Sequence, residues 1–246
     1  MSIAITEDHR TLAQTVSDFL RARGAREAAR ALLDAETEQL PAFWAELGKL
    51  GWLGLHIPEE YGGSGFGLPE LVVVAEEFGR AVAPGPFVPS VIASAVLAAA
   101  APPDVASRLL PGLASGSAVG AVALGGDVTV HDTVAHGSAG VVLGGHLADV
   151  LIVAAGQDAL VIEVAEGGVK AEVPANIDPA RRAARLTLTA APPPRCCPAG
   201  GGCSPTWPGR CWPPRRPASR ARPPSRPPST PRCASSSAGR SPPSRR

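Results

Sequence analysis

The segment from Ala190 to Arg246 has a composition from which no hydrophobic core can be built. It contains 16 of the 27 prolines, 11 arginines and all five cysteines, but no Val, Ile, Leu, Met, Phe or Tyr. Without aliphatic side chains to bury, such a segment cannot offset the conformational entropy that folding removes. We therefore expect residues 190–246 to be disordered and the folded part of the chain to end near residue 189.

The same break divides the charge of the chain. Removing these 11 arginines from the 23 basic residues leaves 12 against 22 acidic residues, so residues 1–189 carry a net charge of −10. An acidic body lacks the basic face that binding to a phosphate backbone requires. The folded part is therefore not expected to bind nucleic acid.

Neither a membrane span nor a secretion signal is expected. The most apolar run, Val88–Ala101, is rich in alanine, contains a proline and is short for a span. The first residues, MSIAITEDHR, place acidic side chains where a signal peptide has basic ones followed by an apolar run. The sequence predicts a cytoplasmic protein.

Apolar residues recur at helical spacing through the first part of the chain. Leu12, Val16 and Leu20 share one face of a helix for which Thr6 is a candidate N-cap. Glycine and proline separate the following helices, and the segment from Trp52 to Gly67 is predicted to be a loop. The further predicted helices run from Pro41 to Gly51, from about 69 to 78, from the PGP at 84–86 to near Pro102, and from about 105 to 110.

Beyond Gly116 the pattern changes to short runs rich in β-branched residues, which predict strands at 118–124, 140–145, 149–155, 159–164 and 185–189. We predict an α+β fold. An all-helical domain covers 1–116, a small β-barrel-like domain covers 117–189, and a disordered tail covers 190–246.

The polar residues that invite a catalytic or metal interpretation are better explained otherwise. Glu59 and Glu60 lie in a glycine-rich turn, where solvent leaves a carboxylate without the desolvation that raises a pKa. His131, His136 and His146 fit no common metal-site spacing and are expected to be turn histidines. The cysteines lack paired C-x-x-C spacing, which favours accidental thiols over a zinc site.

Four stretches of the chain resemble the acyl-CoA dehydrogenase family. Residues 43–87, with the PEEYGG turn, are similar to the family's N-terminal helical domain, and RLLPGLASG at 108–116 is similar to the linker that follows it. LGGHLADVLIVAA and IDPARRAARLTL are similar to the interior and exit of its β-domain. The resemblance covers roughly residues 5–189.

The resemblance implies a fold of three layers, with FAD held between the β-domain and a second helical bundle. It implies oxidation of an acyl-CoA thioester, in which a glutamate removes the α-proton while the β-hydrogen leaves as hydride to the flavin. An electron-transfer flavoprotein is the implied electron acceptor, and the implied assembly is a homo- or hetero-tetramer. The family places that glutamate in the second bundle, so we assign no catalytic residue and no metal ligand to this chain.

The family's flavin-contacting motifs are replaced here. Where the family has a Thr-Glu-Pro loop and a Trp-Ile-Thr strand, this chain has ALGGD at 123–127 and VVLGG at 141–145. Leucine and glycine thus stand where hydroxyl side chains would bond the flavin, so no cofactor-binding residue is assigned. We expect the chain to bind FAD weakly or not at all.

The genetic code offers one explanation for the Pro/Arg segment. If its codons are read one nucleotide earlier, the Trp207/Pro208 and Trp212/Pro213 junctions must each encode Ala, because Trp has a single codon. Across Cys233–Arg246 the permitted bases allow RVKFGRPIATFQA, which is similar to the start of the family's last domain. We hypothesise a change of reading frame between about Thr189 and Arg195.

Three functions are therefore compared. The first is a truncated FAD-dependent acyl-CoA dehydrogenase of lipid or steroid side-chain degradation, inactive as written. The second is a non-catalytic partner subunit of a mixed acyl-CoA dehydrogenase tetramer. The third is a helical binding module with a basic tail that binds RNA or anionic lipid through its charge.

Overall fold

The computed structural model describes residues 6–131, 134–155, 158–191 and 195–197. Helices precede strands along these residues, which confirms the predicted α+β class. The helices are α1 (Glu7–Ala22), α2 (Ala25–Ala31), α3 (Trp44–Lys49), α4 (Leu68–Ala81), α5 (Phe87–Ala100) and α6 (Pro103–Ser115). The strands are β1 (Gly120–Ala123), β2 (Asp127–His131), β3 (Val134–Leu143), β4 (Val150–Ala155), β5 (Asp158–Glu163), β6 (Val169–Glu172), β7 (Ala183–Ala191) and β8 (Arg195–Cys197).

Helix α1 begins at the predicted cap. The hydroxyl of Thr6 accepts a hydrogen bond from the His9 backbone N–H at 3.2 Å, and the Thr6 N–H donates to Nδ1 of His9 at 3.2 Å. The reciprocal pair satisfies two N–H groups that a helix start leaves unbonded. Val16 and Leu20 on the inner face are fully buried, as their spacing predicts.

Two helices differ from the prediction. Helix α2 was not predicted, because its inner residues are alanines and give little periodic signal. Helix α6 continues to Ser115, past the predicted end at Leu110, although Pro111 removes one backbone donor. The buried Leu110 and Leu113 lie on either side of that proline and hold the helix against its neighbours.

The strands form two four-stranded sheets in the orders β1-β4-β5-β8 and β2-β3-β7-β6. The pairing of β1 with β4 is parallel, and the other pairings are antiparallel. The inner faces of the sheets share one apolar cluster, which includes Leu151, Leu160 and Leu186. Strands β2 and β6 were not predicted, because most of their residues are exposed and the strand signal of alternating burial is weak.

The β1-β4-β5-β8 sheet lies between the helices and the second sheet. On one side Val150, Ile152 and Val161 pack with residues of α5 and α6, and on the other side Leu151 and Val153 pack toward the second sheet. Burial on both faces explains why the β4 sequence is a continuous apolar run instead of an alternating one.

Strand structure continues past the predicted boundary at residue 189. Strand β7 extends to Ala191, and β8 pairs with β5 through Val161 and Arg195. Strand pairing uses backbone hydrogen bonds, so it does not need the aliphatic side chains that this segment lacks. Residues 198–246, which make up most of the predicted tail, lie outside the described residues.

Candidate functional site

Glu59 and Glu60 lie in an exposed 3-10 turn, Glu59–Tyr61, as predicted. The histidines are less uniform than predicted. His131 ends β2 and His136 lies in β3, so the expectation of turn positions is wrong for both, because β2 and the first part of β3 were not predicted. His146 follows β3 in a turn and contacts a buried carboxylate. Within the described ranges, no three His, Cys, Asp or Glu side chains come together as a metal-binding group.

The stretch 123–127, which the resemblance aligns with one flavin motif, lies beside the part of β3 that leads into the second such stretch, 141–145. The first connects β1 to β2, and the second ends β3 and turns toward β4. A Cβ atom on Gly140 would lie 3.0 Å from the carbonyl oxygen of Gly125, and one on Gly126 would lie 2.3 Å from that of Ser138. Because glycine has no Cβ atom, the β1–β2 connection approaches β3 more closely than it could with any other residue at these positions.

Apolar side chains project from this contact into solvent. Leu124 is 84% exposed, Val141 is 64% exposed and Leu143 is 43% exposed. Val141 pairs with Arg185 of β7, and Arg185 pairs in turn with Glu172 of β6. The outer face of this sheet therefore changes from apolar at β3 to charged at β6.

The turn after β3 also touches the start of α5. A Cβ on Gly144 would lie 3.1 Å from Cβ of Pro86 and 3.3 Å from Cγ of Pro89. Helix α5 carries its own exposed apolar residues, Val88 and Ile92, one turn apart. We call the exposed set Leu124, Val141, Leu143, Val88 and Ile92 the apolar face.

The apolar face fits only part of a flavin. Its side chains suit the flat surfaces of an apolar ring, but a flavin also needs hydrogen-bonding partners at its polar edge. Within 123–127 and 141–145 the only polar side chain is Asp127, an acceptor without a proton to donate when ionised. By their side chains, the two stretches do not fit the hydrogen-bonding edge of FAD.

A second polar group was missed at the sequence level. Glu38 is 4% exposed, and one of its carboxylate oxygens accepts a hydrogen bond from the Arg182 backbone N–H at 2.7 Å. Nε2 of His146 lies 3.6 Å from the same oxygen, Oε2. Glu38 lies in the polar stretch ETEQ, which gives no sign of burial, so no sequence signal could have identified it.

Comparison with known proteins gives a consistent result. Residues 6–117 match the family model described as acyl-CoA dehydrogenase, N-terminal domain. Acyl-CoA dehydrogenase IpdE2 of Mycobacterium tuberculosis is 32% identical over 73% of this chain and 51% of its own length. Mitochondrial isovaleryl-CoA dehydrogenase of Pongo abelii is 44% identical over 31% of this chain and 18% of its own length.

Among solved structures, the Tcur3481-Tcur3483 steroid ACAD variant superposes with a TM-score of 0.68 at 26% identity, over 78% of this chain and 57% of that one. The ChsE4-ChsE5 complex from Mycobacterium tuberculosis gives a TM-score of 0.71 at 24% identity, over 80% of this chain and 58% of that one. This chain thus spans about half the length of IpdE2. The helical domain, the packed sheets and these matches together show that the chain belongs to the acyl-CoA dehydrogenase family.

Proposed function

We propose that the chain is the helical and β-domain portion of an FAD-dependent acyl-CoA dehydrogenase that oxidises the α,β carbon–carbon bond of an acyl-CoA thioester. The observation that carries the proposal is the apolar face, where the turn at Gly144, in the second stretch aligned with a flavin motif, meets the start of helix α5. An apolar wall at this position suits the acyl chain and the ring surfaces that the family's reaction brings together.

We further propose that the chain as written does not catalyse this reaction. In the family, FAD lies between the β-domain and a second helical bundle that also carries the catalytic glutamate, and the Pro/Arg composition of residues 190–246 cannot build such a bundle. A change of reading frame between Thr189 and Arg195 accounts for the Pro/Arg composition that follows. An acyl-CoA substrate, an electron-transfer flavoprotein as electron acceptor and a cytoplasmic location are part of the same proposal.

The test compares the full chain with a version whose coding sequence is re-read in the earlier frame from that point. Each purified protein is examined for bound flavin by absorbance, and for oxidation of straight-chain and steroid side-chain acyl-CoA thioesters with an artificial electron acceptor. We expect flavin and turnover only in the re-read version. Stoichiometric flavin in the chain as written, or a re-read version that encodes no helical bundle, would refute the proposal.

A second candidate is a non-catalytic subunit paired with an active acyl-CoA dehydrogenase. The replacement of the flavin motifs by ALGGD and VVLGG favours it, and the ChsE4-ChsE5 structure shows that proteins of this fold form complexes of two different chains. The re-read version, expressed alone, distinguishes the candidates. A homotetramer with one flavin per subunit excludes the partner role, whereas flavin that is retained only after co-expression with a second family member supports it.

A further inference from the structure

The buried Glu38 forms a polar cluster with the partly buried His146 and Arg182 where the α2–α3 loop meets the β-domain. Arg182 forms hydrogen bonds to this loop with both its backbone and its side chain. Its N–H donates to Oε2 of Glu38, while its guanidinium donates to the carbonyls of Ala35 and Glu36, the latter at 2.6 Å. The guanidinium also donates to the carbonyl of Pro179, and it acts on Glu38 through its charge.

The cluster contains buried polar atoms whose partners are missing. Among the described residues, neither Oε1 of Glu38 nor either ring nitrogen of His146 has a hydrogen-bond partner. A buried polar atom without a partner is costly, and Nε2 of His146 lies 3.6 Å from Oε2 of Glu38, so a small shift would bring the imidazole and the carboxyl group into a hydrogen bond. A single proton can make this bond in two ways: a protonated carboxyl group donates to a neutral imidazole, or an imidazole N–H donates to the carboxylate.

The charges around the pair decide which group carries the proton. Burial raises the pKa of Glu38 to about 7; Arg182 and Arg181 partly offset this increase, and Asp178 adds to it. Burial and the charge of Arg182 lower the pKa of His146. Glu36 lies exposed on the same loop. Below about pH 7, a protonated carboxyl group facing a neutral imidazole is therefore favoured over a carboxylate–imidazolium ion pair.

We propose that Glu38 and His146 form a buried proton-binding site that holds one proton on the Glu38 carboxyl group and, through Arg182, fixes the turn between β3 and β4. The connection runs through the backbone. Arg182 donates its N–H to Glu38, and its carbonyl accepts the N–H of Gly144 at 2.8 Å. Gly144 belongs to the turn beside the apolar face. The site concerns proton binding alone and is independent of acyl-CoA chemistry.

Chemical unfolding of the full chain between pH 5 and 8 tests the site. Since the folded pKa of Glu38 is raised, its stabilising effect is present below its unfolded value of 4.5 and is lost as pH rises through about 7. The lowered pKa of His146 acts oppositely, and its stabilising effect is lost as pH falls below its usual range. The unfolding constant of the wild type relative to Glu38→Gln should therefore rise by about tenfold or more across this range.

The matched control is Glu36→Gln, which removes an exposed carboxylate two residues away. The ratio of its unfolding constant to that of the wild type should stay constant with pH. Parallel profiles for the wild type and Glu38→Gln would overturn the proposal.

NMR titration of the wild type gives a second readout that does not depend on a stable variant. We expect a glutamate carboxyl ¹³C signal that titrates near pH 7, and a Gly144 amide whose protection factor falls over the same range. His146→Gln assigns the imidazole signal, and the imidazole should titrate below the usual range of histidine. If every glutamate titrates near its ordinary value, the proposal fails, even if Glu38→Gln does not fold.

Discussion

Nε1 of Trp44 donates a hydrogen bond to the carbonyl oxygen of Gly116 at 3.0 Å and so joins helix α3 to the point where the helical part of the chain ends. Gly116 closes α6 with a positive φ of 74°, and a Cβ there would lie 2.7 Å from Cδ1 of Leu53. The indole thus bonds to a position where both the backbone conformation and the available space favour glycine.

Replacing Trp44 with Phe keeps most of the ring packing but removes the donor. We expect the free energy of unfolding to fall by about 1–3 kcal/mol, because the partly buried Gly116 carbonyl loses its partner and the smaller ring leaves a gap. Urea denaturation measures the change. A loss below about 0.5 kcal/mol would show that the hydrogen bond contributes little net stability.

Gly137→Ala should destabilise the β-domain strongly. Gly137 has φ of +118°, and a Cβ would lie 2.0 Å from the carbonyl oxygen of Asp127 in the paired strand β2. We expect a loss of more than about 2 kcal/mol in chemical unfolding, since the strand must shift and the backbone is strained. Gly125→Ala is the matched control, because a Cβ there meets no atom within 4 Å. Equal losses in the two variants would contradict the steric explanation.

Glu70 should make the chain sensitive to acid. Hydrogen bonds from its own backbone N–H and from His9, 3.1 Å from Oε1, lower the pKa of its carboxyl group. Because the folded pKa is lowered, the stabilising effect is present above the unfolded value of 4.5 and is lost as pH falls through the folded value. From pH 5 to pH 3, the wild type should lose more stability than Glu70→Gln. The exposed Glu59 provides the control, because Glu59→Gln should lose as much stability over this pH range as the wild type. An equal loss in Glu70→Gln would contradict the prediction.

The apolar face should promote self-association of the chain as written. Contiguous exposed apolar surface is a common cause of aggregation. We expect Leu124→Ser combined with Val141→Thr to reduce light scattering of the full chain at raised temperature, while leaving its circular dichroism unchanged. Leu50→Ser, which removes a partly exposed leucine from the end of α3, should have little effect. Similar reductions in both variants would mean that the apolar face has no special role.

Local sequence signals predicted those helices and strands whose own residues carry a clear pattern of apolar spacing. Thr6 and the spacing of Val16 and Leu20 were sufficient for α1, because cap and inner face are both encoded within one segment. Helix α2 and strands β2 and β6 were missed, since alanine-rich or exposed segments are held by their neighbours and not by their own pattern.

The candidate sites were likewise only partly predictable from the sequence. The resemblance identified 123–127 and 141–145, but only the folded chain shows that Gly125 approaches Gly140 and that the turn at Gly144 adjoins α5. The burial of Glu38 could not be predicted, because it depends on Arg182, which is 144 residues away in sequence.

Ser90 in α5 exchanges hydrogen bonds with Gly120 in β1: its hydroxyl donates to the Gly120 carbonyl at 3.3 Å and accepts the Gly120 N–H at 3.2 Å. A Cβ on Gly120 would lie only 2.6 Å from Cβ of Ala93, so the strand rests directly on the helix. A fragment cut at Gly116 would leave this surface of α5 uncovered. The helical segment and the first sheet should therefore melt in a single transition, and the chain should not be divided at that glycine for expression.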